Sequence, residues 1–361
     1  MLFLKPHILN SPRYRGGGDI QQIQAQYGLE EVIKLASNEN PLPTAEPIQK
    51  AIMQAAAGLN RYPPMGDGDL RRALAAHLGR GLTADNFVTG NGGCDVLFMI
   101  ANSLLGPDDE AIICPPTFPV YESSIKRVGA TLVQVPLLAD FSLNVEGVLA
   151  AVTPRTRLLY LCSPNNPTGS IMTQMELDAL MAELPEEVVV VSDEVYHHFN
   201  TAADYADSYR YVRDGRNLII LHSFSKVFGL AGLRLGYAIT TPLLADYFSR
   251  ARLPFHLSSL VLAGGTAALA ERDYIENSVE LTIGERQRVF EALQAMPHLT
   301  VYPSQANFVL IKPAADAAEL CQRLEQQGIM VRPMEGFYLP GYLRVSIGLR
   351  EENERLLAAV Q

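Results

Sequence analysis

A lysine preceded by two hydroxyl side chains is the residue of this chain best suited to covalent chemistry. Lys226 ends the tetrapeptide Ser-Phe-Ser-Lys at residues 223–226, shortly after the apolar run 218–221, and Arg234 follows eight positions later. A lysine attacks carbonyl groups when its surroundings lower its pKa, because only the neutral amine is nucleophilic. Ser223, Ser225 and Arg234 could hold an anion beside that amine. A surface lysine in a Ser/Gly loop has the same local pattern, so the motif alone decides nothing.

A carboxylate and a phenol follow another apolar run. Asp193 comes two positions after the β-branched run 188–191, and Tyr196 lies three positions further on. Such a run is typical of a buried parallel strand, and ligand groups in open α/β sheets project from the carboxyl ends of these strands. We therefore expect both side chains at the edge of the sheet that faces a ligand. A helix N-cap is the alternative role for Asp193.

Three further segments carry turn or ligand-binding patterns after predicted strands. Residues 163–169 read Ser-Pro-Asn-Asn-Pro-Thr-Gly, which marks a sharp turn. Residues 90–93 read Gly-Asn-Gly-Gly before the apolar segment 96–101, as at the start of a helix whose backbone N–H groups could bind phosphate. Residues 115–121 would present one aromatic ring for stacking, with Phe118 the candidate by position and a core aromatic the alternative reading.

Taken together, these segments resemble the cofactor site of the fold-type I, class I/II aminotransferases, which depend on pyridoxal 5'-phosphate (PLP). The resemblance implies that Lys226, Asp193 and Tyr196 are catalytic. Lys226 would hold the cofactor as a Schiff base and act as general acid and base. Asp193 would keep the pyridine nitrogen protonated, which makes the ring an electron sink. Tyr196 would contact the ring oxygen together with Asn166, whereas the neighbouring Asn165 does not correspond.

The resemblance also implies how the rest of the cofactor is bound. The cofactor phosphate would contact the backbone of Gly93 and Cys94, the two serines and Arg234, whose fork matches phosphate geometry. The thiol of Cys94 would be a bystander. The implied cofactor-binding residues are Tyr62, Gly93, Cys94, Phe118, Asn166, Asp193, Tyr196, Ser223, Ser225, Lys226 and Arg234.

The resemblance covers residues 33–349 and is strongest to the histidinol-phosphate aminotransferase branch. Residues 35–41 contain a segment similar to that branch's Asn-Glu-Asn-Pro motif, and residues 61–63 look like its Arg-Tyr-Pro motif. In family dimers the tyrosine reaches the partner subunit's cofactor phosphate, which implies a homodimer and that role for Tyr62. Residues 330–334 and 343–348 complete the pattern. They imply that Arg344 pairs with the substrate α-carboxylate or phosphate and that Arg332 helps to bind the anionic tail.

Departures from the branch fall where the substrate is selected. Pro43 and Thr44 stand where the branch usually has Gly-Pro, Tyr338 replaces a glycine, and His197 and His198 follow the site tyrosine. We expect the paired histidines to be solvated at a strand end. No metal site is predicted, because adjacent residues of an extended segment point to opposite faces.

The implied reaction transfers an amino group between L-histidinol phosphate and 2-oxoglutarate, as in histidine biosynthesis. Two alternatives stay open: an aminotransferase for aromatic or other amino acids, and a PLP lyase resembling the threonine-phosphate decarboxylases. The decarboxylases share the segments 165–169 and 232–236. A non-catalytic PLP-binding protein is disfavoured, because it need not retain every proton-transfer group.

Composition agrees with an ordinary soluble enzyme, and the resemblance implies a small-molecule amino donor and a 2-oxo acid as its partners. A formal net charge of −10 argues against nucleic acid and anionic membranes as main partners. The start of the chain turns polar too soon for a signal peptide, and no apolar run approaches the ~18 residues that span a bilayer. The cysteines show no paired spacing, which favours a reducing cytoplasm; they are Cys94, Cys114, Cys162 and Cys321.

The order of predicted elements indicates an α/β fold, and the resemblance implies that this fold is fold-type I. Strand-like runs alternate with amphipathic segments of helical length, which predicts a mainly parallel, seven-stranded sheet covered on both faces. We predict a large PLP-binding domain at residues 40–252 and a smaller α+β domain from residues 1–39 and 253–361, with the active site between them. The seven runs lie near Phe87, Ile112, Leu132, Leu159, Val189, Ile219 and Tyr237.

Overall fold

The computed structural model describes residues 4–9, 16 and 18–361. The first residues of the predicted segment 1–39, including part of the start that bears on a signal peptide, lie outside the described residues. The strands, in chain order, are β1 (Ile33–Lys34), β2 (Phe87–Gly90), β3 (Glu110–Ile113), β4 (Thr131–Gln134), β5 (Thr156–Cys162), β6 (Val189–Asp193), β7 (Leu218–Ser223), β8 (Gly236–Ile239), β9 (Leu299–Tyr302), β10 (Phe308–Pro313), β11 (Ile329–Met330), β12 (Arg332–Pro333) and β13 (Leu343–Ser346).

Helices separate most of these strands. The α-helices, in chain order, are α1 (Pro6–Leu9), α2 (Ile20–Tyr27), α3 (Glu46–Ala56), α4 (Gly68–Leu78), α5 (Gly93–Leu104), α6 (Val120–Arg127), α7 (Val145–Ala151), α8 (Gln174–Glu183), α9 (Tyr209–Arg213), α10 (Pro242–Ala251), α11 (Ser259–Ala268), α12 (Arg272–Gln294), α13 (Ala317–Gln326) and α14 (Arg350–Val360). Short 3-10 helices occupy Ala84–Asn86, His197–Phe199, Ala231–Leu233 and Glu335–Phe337. Throughout the described ranges, every helix is too short or too polar to traverse a bilayer.

Among the described residues, seven strands form one sheet in the order β2-β8-β7-β6-β5-β3-β4. Strands β4, β3, β5, β6 and β7 are parallel to one another, whereas β8 runs antiparallel to both of its neighbours. The prediction of a mainly parallel seven-stranded sheet is confirmed. The carboxyl ends of β5, β6 and β7 therefore lie at one edge, where the segments after them meet.

Both faces of the large sheet are buried, as the uninterrupted apolar runs require. Within β6, Val190 packs in the cluster on one face, while Val189 and Val191 pack in the cluster on the other. Within β7, the same alternation separates Ile220 from Ile219. Because successive strand residues point to opposite faces, a strand covered by helices on both sides has to be apolar at every position.

A second, antiparallel sheet of order β12-β13-β10-β9 lies in the carboxyl-terminal part, and β1 pairs in parallel with β11. This pairing brings the N-terminal segment onto the carboxyl-terminal unit, which is called the small domain below. The division at residue 252 stays a prediction. Val261 and Ala268 of α11 pack in the cluster of the large sheet, and α12 contacts that cluster near its start and the small-domain cluster near its end.

Candidate active site

The candidate site is a cavity of about 350 Å³ at the carboxyl edge of the large sheet. Its walls come from the loops after β5, β6 and β7, the first turn of α5, the N-terminal segment 36–39, and two arginines of the small domain. The sequence-predicted residues that line it are Gly93, Cys94, Phe118, Asn166, Asp193, Tyr196, Ser223, Ser225, Lys226, Arg234, Arg332 and Arg344.

Lys226 lies three positions beyond β7 and reaches into this cavity. Its Nζ donates hydrogen bonds to the carbonyl oxygens of Asn38 at 3.1 Å and Ser37 at 3.5 Å. Burial and, to a smaller extent, the positive charge of Arg344 together lower the pKa of Lys226 to about 8, against the raising effect of nearby acidic groups. The amine is therefore neutral in a substantial fraction of molecules near physiological pH, as a nucleophile or base requires.

Asp193 is the last residue of β6 and is buried. Burial raises the pKa of Asp193 to about 6, against the opposing effect of hydrogen bonds from the Tyr121 hydroxyl and the Val195 backbone N–H. The Asp193 carboxylate lines the cavity, and the positive charge of Lys226 favours its ionised form. An ionised carboxylate can accept a hydrogen bond from a protonated group of a ligand.

Tyr196 and Asn166 both line the cavity and contact each other. The Tyr196 hydroxyl accepts hydrogen bonds from Asn38 Nδ2 at 3.0 Å and Asn166 Nδ2 at 3.5 Å. Burial raises the pKa of Tyr196, which keeps the phenol protonated and able to donate. Arg344 Nη1 donates to Asn166 Oδ1 and thereby holds the amide. The group presents a phenol and an amide N–H to an oxygen of a ligand.

The start of α5 is the candidate anion cradle. Gly92 precedes the helix with φ of +85°, and Gly93 and Cys94 of the first turn line the cavity together with Ser223 and Ser225. The first N–H groups of a helix have no partner within it and can bind an anion. The Arg234 guanidinium lies over this turn, since a Cβ on Gly92 would come within 2.4 Å of Arg234 Nη2. Glycine is required here both by the backbone angle and by the close approach of the arginine.

Gly236, at the start of β8, lets that strand run against the same helix start. A Cβ at Gly236 would lie 2.4 Å from the backbone nitrogen of Gly93. Arg234 adopts a left-handed conformation with φ of +62° and donates from Nη1 to the Ala231 carbonyl at 3.0 Å. Strained backbone held by its surroundings is common at ligand clamps.

Phe118 and Cys94 border the middle of the cavity. Phe118 packs edge-on to Tyr121 with ring centroids 5.7 Å apart, and Phe337 of the small domain lies 6.5 Å away. Its ring is therefore held in one orientation beside the space that a flat ligand would occupy. Burial raises the pKa of the Cys94 thiol, so the sulfur is not poised as a nucleophile.

The small domain contributes Arg344 from β13 and Arg332 from β12. Arg344 is buried, donates from Nη2 to the Ala36 carbonyl at 2.9 Å, and lies over the rings of Phe308 and Phe337. Arg332 is half-buried and donates to the carbonyl of Gly16. The antiparallel pairing of β12 with β13 places the two residues opposite each other. Two guanidinium groups thus face one end of the cavity.

Tyr62 is the predicted cofactor residue that the structure does not bring into this cavity. Its side chain is 82% exposed and stacks on Phe255 with ring centroids 4.7 Å apart. The tyrosine is therefore available at the surface of the chain and not to the chain's own lysine.

Two residues that touch the site were given no role from the sequence. Asn38 lies within the predicted Asn-Glu-Asn-Pro motif, so the motif was the available signal. Its amide bonds Tyr196 and Ser346, while its carbonyl accepts from Lys226. Tyr121 ends the segment 115–121 and donates to Asp193 Oδ2 at 2.6 Å. Nothing local to residue 121 points to a carboxylate from a different strand.

The expectation of solvated, oppositely directed histidines at 197 and 198 is wrong. These residues form a 3-10 helix, and the His197 ring lies 3.8 Å from the His198 ring and 4.0 Å from the His222 ring, between centroids. A 3-10 helix turns by about 120° per residue, so neighbouring rings can meet where a strand would separate them. Burial lowers the pKa of all three histidines. Across the described part of the chain, no group of three or more His, Cys, Asp or Glu side chains is placed to hold a metal ion.

The chain belongs to the aminotransferase class I and II family, whose profile matches residues 30–360. Individual relatives carry more specific names than the family profile. The chain is 37% identical to a histidinol-phosphate aminotransferase of Moorella thermoacetica, with 98% of this chain and 91% of the relative covered. It is 38% identical to histidinol-phosphate aminotransferase 2 of Ralstonia nicotianae, with 96% and 93% covered.

A solved structure shows the same fold. The crystal structure of histidinol-phosphate aminotransferase from Sinorhizobium meliloti in complex with pyridoxal-5'-phosphate matches with a TM-score of 0.87 at 29% identity. The match covers 99% of this chain and 96% of that one. The predicted resemblance in family and fold is confirmed.

Proposed function

We propose that this protein is a PLP-dependent aminotransferase that moves an amino group between L-histidinol phosphate and 2-oxoglutarate, in histidine biosynthesis. The observation that carries the proposal is one cavity in which Lys226 stands between a buried carboxylate, an anion cradle and two arginines. The names of the curated relatives support the choice of substrate. The roles assigned below to individual residues belong to this proposal.

The residues present fit PLP at each of its polar ends. The first turn of α5 and Arg234 match a phosphate, since Gly92 and Gly236 lack the side chains that would fill the cradle. Asp193 suits a protonated pyridine nitrogen, and the Tyr196 phenol suits the ring oxygen. PLP, when bound, supplies an electron sink that stabilises negative charge on the substrate α-carbon.

Lys226 is the proposed general acid and base. Its amine would hold the cofactor aldehyde in the resting protein until the donor amine releases it. The free amine would then take the proton from the substrate α-carbon and deliver it to the cofactor carbon that bore the aldehyde. A pKa of about 8 suits both tasks, because neutral and protonated amine are both well populated. The carbonyls of Ser37 and Asn38, which accept from Nζ, keep the amine at the cavity.

The arginines hold and orient the substrate. L-histidinol phosphate carries a phosphate, and 2-oxoglutarate carries carboxylates, so the two half-reactions present different anions to one site. The planar fork of Arg344 can pair with either anion in a bidentate way. Arg332 would neutralise the distal anionic group. Because the arginines come from the small domain, substrate binding would draw that domain toward Lys226.

The assembly belongs to the same proposal. Tyr62 would complete the cofactor phosphate site of a partner subunit in a homodimer, and its exposure beside the exposed apolar residues Met65 and Leu253 supports this. Mixing Tyr62→Phe and Lys226→Ala subunits would then restore, in mixed dimers, one site with neither substitution. We also infer a cytoplasmic location and the two-domain division at residue 252.

The test follows the bound cofactor by absorbance while a single donor is added without any oxo acid. L-histidinol phosphate should convert the cofactor to its amine form at low concentration, whereas L-phenylalanine should not. Conversion by phenylalanine alone would move the protein to the aromatic aminotransferases. Carbon dioxide release from a phosphorylated amino acid would identify the lyase. Lys226→Ala should lower turnover by about 10²- to 10⁴-fold or more, and full activity in that variant would refute the site.

A further inference from the structure

Tyr121 is a buried residue outside the cavity lining whose hydroxyl bonds Asp193, which does line the cavity. It lies in the first turn of α6, is fully buried, and donates its hydroxyl hydrogen to Asp193 Oδ2 at 2.6 Å. Asp193 also accepts from the Val195 backbone N–H at 3.4 Å, through its other oxygen. The phenol therefore provides the shorter of these two hydrogen bonds to the carboxylate.

The surroundings of Tyr121 leave its ring little freedom. The Tyr160 ring stacks on it with centroids 5.0 Å apart and planes 11° apart, and the Phe118 ring meets it edge-on at 5.7 Å. The Ser124 hydroxyl donates to the Tyr121 carbonyl at 2.8 Å. Phe118 lies just before α6, and its carbonyl oxygen accepts a hydrogen bond from the Tyr121 backbone N–H at 3.2 Å, so one turn of the chain places both the Phe118 ring and the partner of Asp193.

The hydrogen bond opposes the effect of burial on Asp193. Burial raises the pKa of Asp193 to about 6, and the Tyr121 hydroxyl acts against that rise because it bonds the ionised form. Burial and the neighbouring carboxylate raise the pKa of Tyr121 well above its ordinary value, so the phenol keeps its proton and remains the donor. The other titratable groups coupled to Asp193 are Cys94, Cys162, Glu194, Tyr196 and Lys226.

We propose that Tyr121 is a positioning residue that keeps Asp193 ionised and directed at the ring nitrogen of the cofactor. The inference rests on the proposed PLP site and adds a residue to it that does not line the cavity. The ring nitrogen retains its proton only beside an ionised carboxylate. Tyr121 thus acts on the electron sink through Asp193, without touching the cofactor.

The test uses 4'-deoxypyridoxine 5'-phosphate, a PLP analogue that has no aldehyde and cannot react with Lys226. Binding to the cofactor-free, full-length protein is measured by equilibrium dialysis from pH 6 to 9. Tyr121→Phe should weaken binding about tenfold near neutral pH and move the acid-side midpoint up by about one pH unit, as expected for one lost hydrogen bond to an ionised group. Tyr160→Phe is the matched control, because the Tyr160 ring stacks on Tyr121 while its hydroxyl accepts from Ser124 and, among the described residues, makes no hydrogen bond to Asp193.

The outcomes separate this inference from the proposed function. Suppose that Tyr121→Phe binds the analogue as tightly as Tyr160→Phe at every pH, while Asp193→Asn binds it clearly more weakly. This result overturns the role of Tyr121 and leaves the cofactor site intact. Undiminished binding by Asp193→Asn overturns the cofactor assignment together with the inference. Replacing Tyr121 by 3-fluorotyrosine preserves shape and strengthens the donor. The acid-side midpoint should then move down, and a midpoint that stays in place contradicts the proposal even if Tyr121→Phe fails to fold.

Discussion

Asn38 joins the N-terminal segment to two of the proposed catalytic residues, Tyr196 and Lys226, and its replacement offers a sharp test of how the site is held. Its side chain donates to the Tyr196 hydroxyl at 3.0 Å and accepts from the Ser346 hydroxyl at 3.0 Å. Its backbone is left-handed, with φ of +53°. Asparagine tolerates that conformation, glycine adopts it freely, and alanine does so at a cost of roughly 1 kcal/mol.

The magnitudes follow from these contacts. Each of the two buried hydrogen bonds contributes about 1 kcal/mol net, so Asn38→Gly should lower the free energy of unfolding by about 2 kcal/mol. Asn38→Ala loses the same bonds and adds the backbone strain, for about 3 kcal/mol in total. Both variants keep the backbone carbonyl that accepts from Lys226, so both should still bind PLP covalently.

Urea unfolding followed by circular dichroism measures the two variants beside the unsubstituted protein. Glycine is expected to be less destabilising than alanine at position 38. Equal losses in the two variants would show that the left-handed backbone is not enforced. A loss below about 0.5 kcal/mol in both would refute the energetic role assigned to the two hydrogen bonds.

Two further predictions concern the buried histidines and the anion cradle. The pKa values of His197 and His222 are lowered to about 3, below an unfolded value near 6.5. The unfolded chain therefore binds more protons than the folded chain below pH ~6.5. As the pH falls through this range, each histidine lowers the free energy of unfolding by about 1.4 kcal/mol per pH unit. Urea unfolding between pH 5 and 7.5 should show a smaller slope for His222→Gln, and an unchanged slope would contradict the burial argument. Gly92→Ala should weaken PLP binding by about tenfold or more, because its Cβ would meet Arg234 and its φ is +85°. Gly232→Ala is the control, since its Cβ would meet nothing within 4 Å; equal effects in an equilibrium dialysis assay would rule out the steric explanation.

Most of the cavity-lining residues that sequence motifs picked out end or follow a strand of the large sheet or begin a helix, whereas Arg332 and Arg344 lie within strands of the smaller sheet. Asp193 and Lys226 were placed correctly at one edge because uninterrupted β-branched and apolar runs define buried parallel strands, whose carboxyl ends coincide. The position of the turn at Gly93 was predictable for a similar reason. A glycine-rich turn between a buried strand and an apolar helix lies at the end of that strand, with the first N–H groups of the helix beside it. The roles of these residues in binding and catalysis stay predictions for the experiments above.

The histidines show where local patterns mislead. An extended conformation was assumed for residues 197 and 198 because they follow a strand, yet the chain had already turned into a 3-10 helix. The ring that stacks on His197 is that of His222, which comes from β7. Periodicity carries no information about a neighbour on another strand, so neither the burial nor the lowered pKa values could be anticipated.

The sequence alone determined the family, the order of the strands along the chain and the edge of the sheet where the candidate site lies, because these depend on motifs and on local hydrophobic patterns. Only the tertiary structure decided that Tyr121 bonds Asp193, that Asn38 meets Tyr196, and that the Tyr62 side chain faces away from its own lysine. Such contacts join segments far apart in the chain, and the pKa of each group depends on how completely the packed fold excludes water from it.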